Sequence, residues 1–182
     1  MPIGEGGIFQ PSAAKWNILG TNDASFNDGT GIFGLKKDLL ATDSNPYKFS
    51  AYRSGAWTAP SGYGKVSLET ELFDTNSNFD SSTNYRYTAP VTGFYLFAGN
   101  VQQVVPNGNG WIAALYKGGV LEAVGASEVS NDSTGFSRGG AVVKLLQMTA
   151  GEYVELWAYG AGGAGATGKT HNYLTGFLVS RT

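Results

Sequence analysis

The chain has 182 residues and a mass of 19.1 kDa, with 12 Lys and Arg against 14 Asp and Glu, a net charge of −2 and no cysteine. A compact monomer of this size buries roughly 70% of its unfolded surface, so one globular domain without covalent staples is the default. The few scattered basic residues give no electrostatic footprint for nucleic acid, no apolar run approaches the roughly 20 residues of a membrane-spanning helix, and the lack of cysteine excludes a disulfide scaffold, a thiolate metal site and a cysteine nucleophile. Charged residues at 14% and 27 glycines favour strands, turns and coil. A hydrophobic content of 42%, with 10 Tyr, 10 Phe and 4 Trp, is too apolar for a disordered chain.

Met1–Gly7 shows no basic region followed by an apolar core, so no secretory signal is expected. From Met1 to Pro46, Gly, Asn, Asp and Ser alternate with isolated bulky residues, without a sustained period of 2 or 3.6. This predicts an extended arm over residues 1–46. A flexible linker would not carry Phe9, Trp16, Ile18, Phe26, Ile32 and Phe33, and Phe9, Trp16, Ile18 and Phe26 are the candidate anchors to another protein. Leu35–Leu40 is the one plausible helical turn. Gly29-Thr30-Gly31-Ile32-Phe33-Gly34 spells a dinucleotide fingerprint, but no strand precedes it and no βαβ unit surrounds it, so it reads as a turn-rich piece of the arm.

From Tyr47 onward short runs alternate with period 2 between Gly, Pro, Asn, Asp and Ser clusters. Strands are predicted near residues 48–54, 65–73, 84–88, 93–104, 111–117, 120–126, 138–146, 153–159 and 173–180. With no room for crossover helices they must be antiparallel. The predicted class is all-β, a jelly-roll sandwich of about ten strands over residues 47–182. Along 153–159, Val154, Leu156 and Ala158 share one face, and Tyr153, Trp157 and Tyr159 share the other with Glu155. Along 173–179, Leu174, Gly176 and Leu178 oppose Tyr173, Phe177 and Val179. Strands that are bulky on both faces predict a core on one side and a neighbouring subunit on the other. Tyr153, Trp157, Tyr159, Tyr173 and Phe177 are therefore candidate trimer-interface residues; the alternative is that the arm folds back over that face.

Three stretches imitate catalytic or metal motifs. Gly163–Thr170 matches the phosphate-loop pattern GxxxxGK[ST], but a strand rather than a helix follows it, so a mobile Gly/Ala hairpin loop is expected and no nucleotide. Gly135-Phe136-Ser137-Arg138-Gly139 fits GxSxG, and Ser137, Glu152 or Glu155, and His171 fall in hydrolase order, yet the strand after Gly139 replaces the helix that such an elbow requires. Asp74–Asp80 is rich in oxygen ligands but has Phe79 where a calcium loop needs glycine. The expectation is no enzyme and no cofactor, with loosely bound Ca2+ the only metal the residues suggest.

Phe49-Ser50-Ala51, Phe79-Asp80, Tyr85-Arg86-Tyr87-Thr88-Ala89-Pro90-Val91-Thr92-Gly93-Phe94-Tyr95-Leu96-Phe97, Leu145–Val154 and Leu174-Thr175-Gly176-Phe177-Leu178-Val179 together resemble the globular head of complement C1q and the related tumour necrosis factor superfamily. The resemblance covers about three quarters of the chain. It implies a ten-stranded jelly roll that forms compact homotrimers and serves binding or structure rather than catalysis. The arm has none of the collagen Gly-X-Y repeat. An apolar arm, a charge-poor trimeric head and no signal suit a bacteriophage virion component, a head decoration or fibre subunit. Its arm would bind a capsid or tail protein, and its head would face outward toward a host-surface ligand, with no nucleic acid or membrane as partner. The alternative is a secreted, extracellular ligand- or carbohydrate-binding module of a bacterium or animal.

Overall fold

Tyr95, Phe97, Val101 and Gln103 are buried at every second position while their neighbours reach solvent, the burial pattern of a strand with one face in a core. The computed structural model describes residues 15–19, 23–27, 32–35, 45–104, 110–125, 128–129 and 137–182, with side chains described for 45–103, 110–125 and 139–182. The chain divides into two units, Met1–Ser44 and Asn45–Thr182.

In the first unit β1 (Lys15–Leu19), β2 (Asp23–Asn27) and β3 (Ile32–Leu35) form an antiparallel sheet in that order. Trp16 stands opposite Phe26, and Phe26 opposite Phe33. Residues expected to belong to an arm without strand periodicity thus include three paired strands, and the second half of the glycine fingerprint lies in β3. Phe9 and residues 36–40 of the expected helical turn lie outside the described residues.

The second unit begins with β4 (Lys48–Tyr52), β5 (Trp57–Thr58), β6 (Ser61–Lys65), β7 (Thr70–Asp74), β8 (Phe79–Asp80) and β9 (Arg86–Thr88). It continues with β10 (Gly93–Val104), β11 (Gly110–Lys117), β12 (Val120–Val124), β13 (Glu128–Val129), β14 (Ser137–Met148), β15 (Tyr153–Ala161), β16 (Ala164–Gly165) and β17 (Tyr173–Arg181). Ten of these have three or more residues and four have two. Every pairing is antiparallel, and no helix occurs among the described residues. The first sheet runs β14-β10-β17-β4-β7, with β16 and then β5 continuing beside the end of β10. The second runs β12-β11-β15, and the far edge of β15 is shared by β6, against Trp157–Ala161, and β9, against Tyr153–Glu155.

Between the sheets Phe49 stacks on Tyr87 at 4.5 Å and on Phe79 at 5.1 Å, with Phe97, Leu115, Leu156 and Leu174 fully buried around them. Each such side chain contributes about 1.5–3 kcal/mol by leaving water. Asn45 and Pro46, placed in the arm by the sequence reading, belong to this unit: the Asn45 amide donates to the Leu178 carbonyl, and the Pro46 carbonyl accepts from the Thr75 hydroxyl.

The predicted strand over 65–73 is two strands. The chain leaves the second sheet after Lys65 and joins the first at Thr70, while Val66 and Leu68 on the crossing are fully buried. Their burial prolongs the period-2 pattern through a segment that is not a strand. At Lys117–Val120 the two-residue loop has Gly118 at φ 58° and Gly119 at φ 82°, the positive pair a type I′ hairpin demands.

Candidate functional site

The alternation of β15 puts Val154, Leu156 and Ala158 into the core and Tyr153, Glu155, Trp157 and Tyr159 on the outer face of the second sheet. Register brings Tyr159 opposite Tyr63 of β6 and Trp157 opposite Lys65. The rings of Tyr63 and Tyr159 meet edge to face at 5.0 Å, Tyr116 of β11 lies 6.0 Å from Tyr63, and Tyr116 stacks on Trp157 at 4.2 Å. Beneath this aromatic ledge the Glu155 carboxylate is almost buried. It accepts from Lys65 Nζ at 2.7 Å and from the indole Nε1 of Trp157 at 2.9 Å, while Lys65 also donates to the Asn84 carbonyl at 3.1 Å. Burial, with the neighbouring Tyr63, pushes the Tyr116 hydroxyl above its usual pKa. Further along, the Arg86 guanidinium lies 4.1 Å over the Tyr153 ring.

The outer face of the first sheet is different in chemistry. One row crosses all five long strands as Phe73, Ser50, Thr175, Ala98 and Val143, and the next runs Lys48, Phe177, Leu96 and Leu145. Phe73, Val143, Leu145, Phe177 and Val179 are each between 42% and 63% exposed. Tyr173 stands a row further, between Tyr52 and Asn100. The five candidate interface residues therefore do not form one patch. Tyr153, Trp157 and Tyr159 occupy the outer face of the second sheet, whereas Tyr173 and Phe177 occupy that of the first. Period 2 shows that a residue faces outward but not which of two sheets carries it.

The stretches that imitate enzyme motifs have structural employment. Gly165 pairs with both Gln103 and Trp57, and a Cβ there would lie 1.9 Å from the Trp57 indole nitrogen. That nitrogen donates to the Ala166 carbonyl at 3.0 Å, Ala166 N donates to Gln102 O, and Gly168 N to Arg53 O. The mobile hairpin loop expected at 163–170 is thus a strap tied to the end of the first sheet, and Gly165 leaves room for the Trp57 indole. Ser137 opens β14 opposite Val104, and the three other hydrolase candidates have separate partners. Glu152 accepts from Thr149 N, Glu155 binds Lys65 and Trp157, and His171 Nδ1 lies 2.6 Å from the Thr167 carbonyl, which requires that nitrogen to carry the proton.

Asp74 accepts from Phe79 N at 2.6 Å and Asn76 N at 3.2 Å. Asp80 accepts from the backbone of Ser82, Thr83 and Asn84 and from the Asn84 amide. The Thr83 and Asn84 hydrogen bonds, opposed by some burial, hold Asp80 well below the usual carboxylate range. These oxygens of the calcium-like segment are committed to their own turns, and no group of three His, Cys, Asp or Glu among the described residues is placed to hold a metal ion. Of the arm anchors, Trp16 and Ile18 lie in β1 and Phe26 in β2.

A two-sheet antiparallel sandwich with exposed apolar and aromatic outer faces is the architecture of the jelly-roll class. The sequence profile of the C1q domain matches residues 48–179, and the chain belongs to the C1q domain family. The globular domain of zebrafish complement 1qA superposes with a TM-score of 0.54 at 19% identity, covering 75% of this chain and 99% of that one. The Eiger TNF of S. frugiperda does so at 0.60 and 9% identity, covering 75% and 94%, and murine APRIL at 0.54 and 10%, covering 72% and 98%. No curated protein matches the chain in sequence. Domains of this family are in general non-enzymatic, trimeric, ligand-binding and extracellular.

Proposed function

We propose that the chain is a non-enzymatic, homotrimeric binding head whose copies meet through the outer face of the first sheet. The observation that carries this is the cross-strand rows of that face, with Phe73, Val143, Leu145, Phe177 and Val179 all exposed. Single exposed hydrophobic residues are ordinary; five of them on β7, β14 and β17 of one sheet face are what an obligate interface leaves on an isolated protomer. Light scattering should give three times the 19.1 kDa chain mass, and Phe177→Asp, which would bury a charge in each copy, should reduce it to one. A monomeric wild-type chain overturns this reading.

The finer reading we propose is a virion structural subunit, a head decoration or fibre protein, held to a capsid or tail protein by residues 1–46 and displayed on the virion surface. Its support is compositional: few charges, and bulky apolar residues set at intervals along the arm. The chain should cosediment with particles and lose them when residues 1–44 are removed. A chain recovered free of particles favours the secreted, extracellular module.

A further inference from the structure

We propose that the ledge formed by Tyr63, Tyr116, Trp157 and Tyr159 on the outer face of the second sheet binds a neutral oligosaccharide. This rests on reading the chain as a binding head but not on its oligomeric state. The C–H faces of a pyranose are apolar and its rim is hydroxyl, so it is recognised by aromatic rings with hydrogen-bonding groups close by. The ledge has both. Tyr63 and Tyr159 meet at 61° and are 39% and 40% exposed, making an open corner, and their hydroxyls lie on the same face as the Lys65 ammonium.

The geometry is fixed before any ligand arrives. Glu155 holds the Trp157 indole by its N–H, Lys65 holds Glu155, and Tyr116 is stacked on Trp157 at 4.2 Å. Pre-ordered rings lose little entropy on binding. Charge and area select the occupant. Lys65 and Glu155 neutralise one another at 2.7 Å, and the positive charge of Arg86 lies over the Tyr153 ring rather than at the corner of Tyr63 and Tyr159, which gives that corner no charge of its own to select an acidic or basic ligand. Two-fifths of a tyrosine surface of roughly 150–250 Å² apiece, even with the half-exposed Leu121 that pairs with Tyr116, falls far below the about 800 Å² per partner of a stable protein interface, but it matches one or two sugar rings.

The test uses the full chain and hexaoses of β-1,4-glucose, β-1,4-N-acetylglucosamine and α-1,4-glucose, titrated by calorimetry and by tryptophan fluorescence. Saturable binding of at least one is expected, with an affinity roughly tenfold or more weaker in Tyr63→Ala and in Tyr159→Ala. Both variants should keep the cooperative melting transition and the mass of the wild type, and Phe177→Asp should still bind. Failure of all three sugars to bind, or binding that survives both tyrosine substitutions, overturns the proposal. A loss of assembly in Tyr159→Ala also overturns it and makes this ledge an interface between copies. A monomeric wild-type chain that binds sugar through Tyr63 and Tyr159 would sink the trimer reading and sustain this one.

Discussion

Asp80 ties a whole turn to one carboxylate. Backbone N–H groups of Ser82, Thr83 and Asn84 converge on it at 2.9–3.2 Å, and its pKa is lowered from 3.8 chiefly by the Thr83 and Asn84 bonds. Because the folded pKa lies below the unfolded one, the contribution is fully present above the unfolded value and is lost as pH falls through the folded value. Asp80→Asn keeps one acceptor oxygen but removes the charge. At neutral pH it should cost up to about 1 kcal/mol, a modest figure because the side chain is only partly buried. Urea midpoints of wild type and variant should differ near neutrality and converge in strong acid; a gap that persists unchanged at acid pH would count against the charge-assisted account. The pKa of Glu69 is lowered as well, against a larger opposing cost of burial. At Glu69 burial raises the pKa, but hydrogen bonds led by those from Gly55 and Ser54 outweigh it and lower the value overall.

At the scale of elements, β6 and β15 are joined by more than their ladder. Glu155 on β15 is buried to the point that its side chain is 5% exposed, whereas that of its partner Lys65 on β6 is 32% exposed. Lys65→Met would leave a charge with the Trp157 N–H as its remaining hydrogen bond. Breaking a fully buried pair in this way costs about 3–5 kcal/mol, and the exposure of Lys65 brings the expectation to about 2. The double variant Lys65→Met/Glu155→Leu should recover most of the loss, since both charges are then absent. Thermal melts of the four proteins in this cycle measure it, and additive losses would show that the two side chains act independently. Short strands such as β5 and β16 survive for another reason. A two-residue strand has little stability of its own, but Trp57 lies across Gly165 and donates to Ala166, so packing replaces length.

For the whole molecule, Asn45 and Pro46 close the head against β17 and Thr75, and the core from Phe49 to Leu178 lies entirely within residues 45–182. A chain starting at Asn45 should therefore fold, remain soluble, and match the full chain in subunit number by light scattering. Aggregation of that truncation would mean that the arm covers the apolar face of the first sheet, the fold-back alternative, and would remove the argument for a trimer through Phe177. The charges are few enough that association would rest on apolar area, so subunit number should change little with salt.

Much of this was legible in the residues. Gly93–Val104 matches its predicted bounds because twelve alternating positions with bulky inward residues have one strand solution, and the inward sets Val154, Leu156, Ala158 and Leu174, Gly176, Leu178 follow from the same period. Gly118-Gly119 and Thr149-Ala150-Gly151-Glu152 announce their turns through local backbone chemistry, and local chemistry does not depend on the rest of the fold. The ledge was not legible. Tyr63 lies between glycines in a segment with no strand signal, and Tyr116, Trp157 and Tyr63 are separated by long stretches of chain, so only sheet pairing makes them neighbours. The division of the outward aromatics was likewise a tertiary decision. Alternation fixes that Trp157 and Phe177 point away from the core, but strand order places β15 in one sheet and β17 in the other, sending them to opposite sides of the molecule.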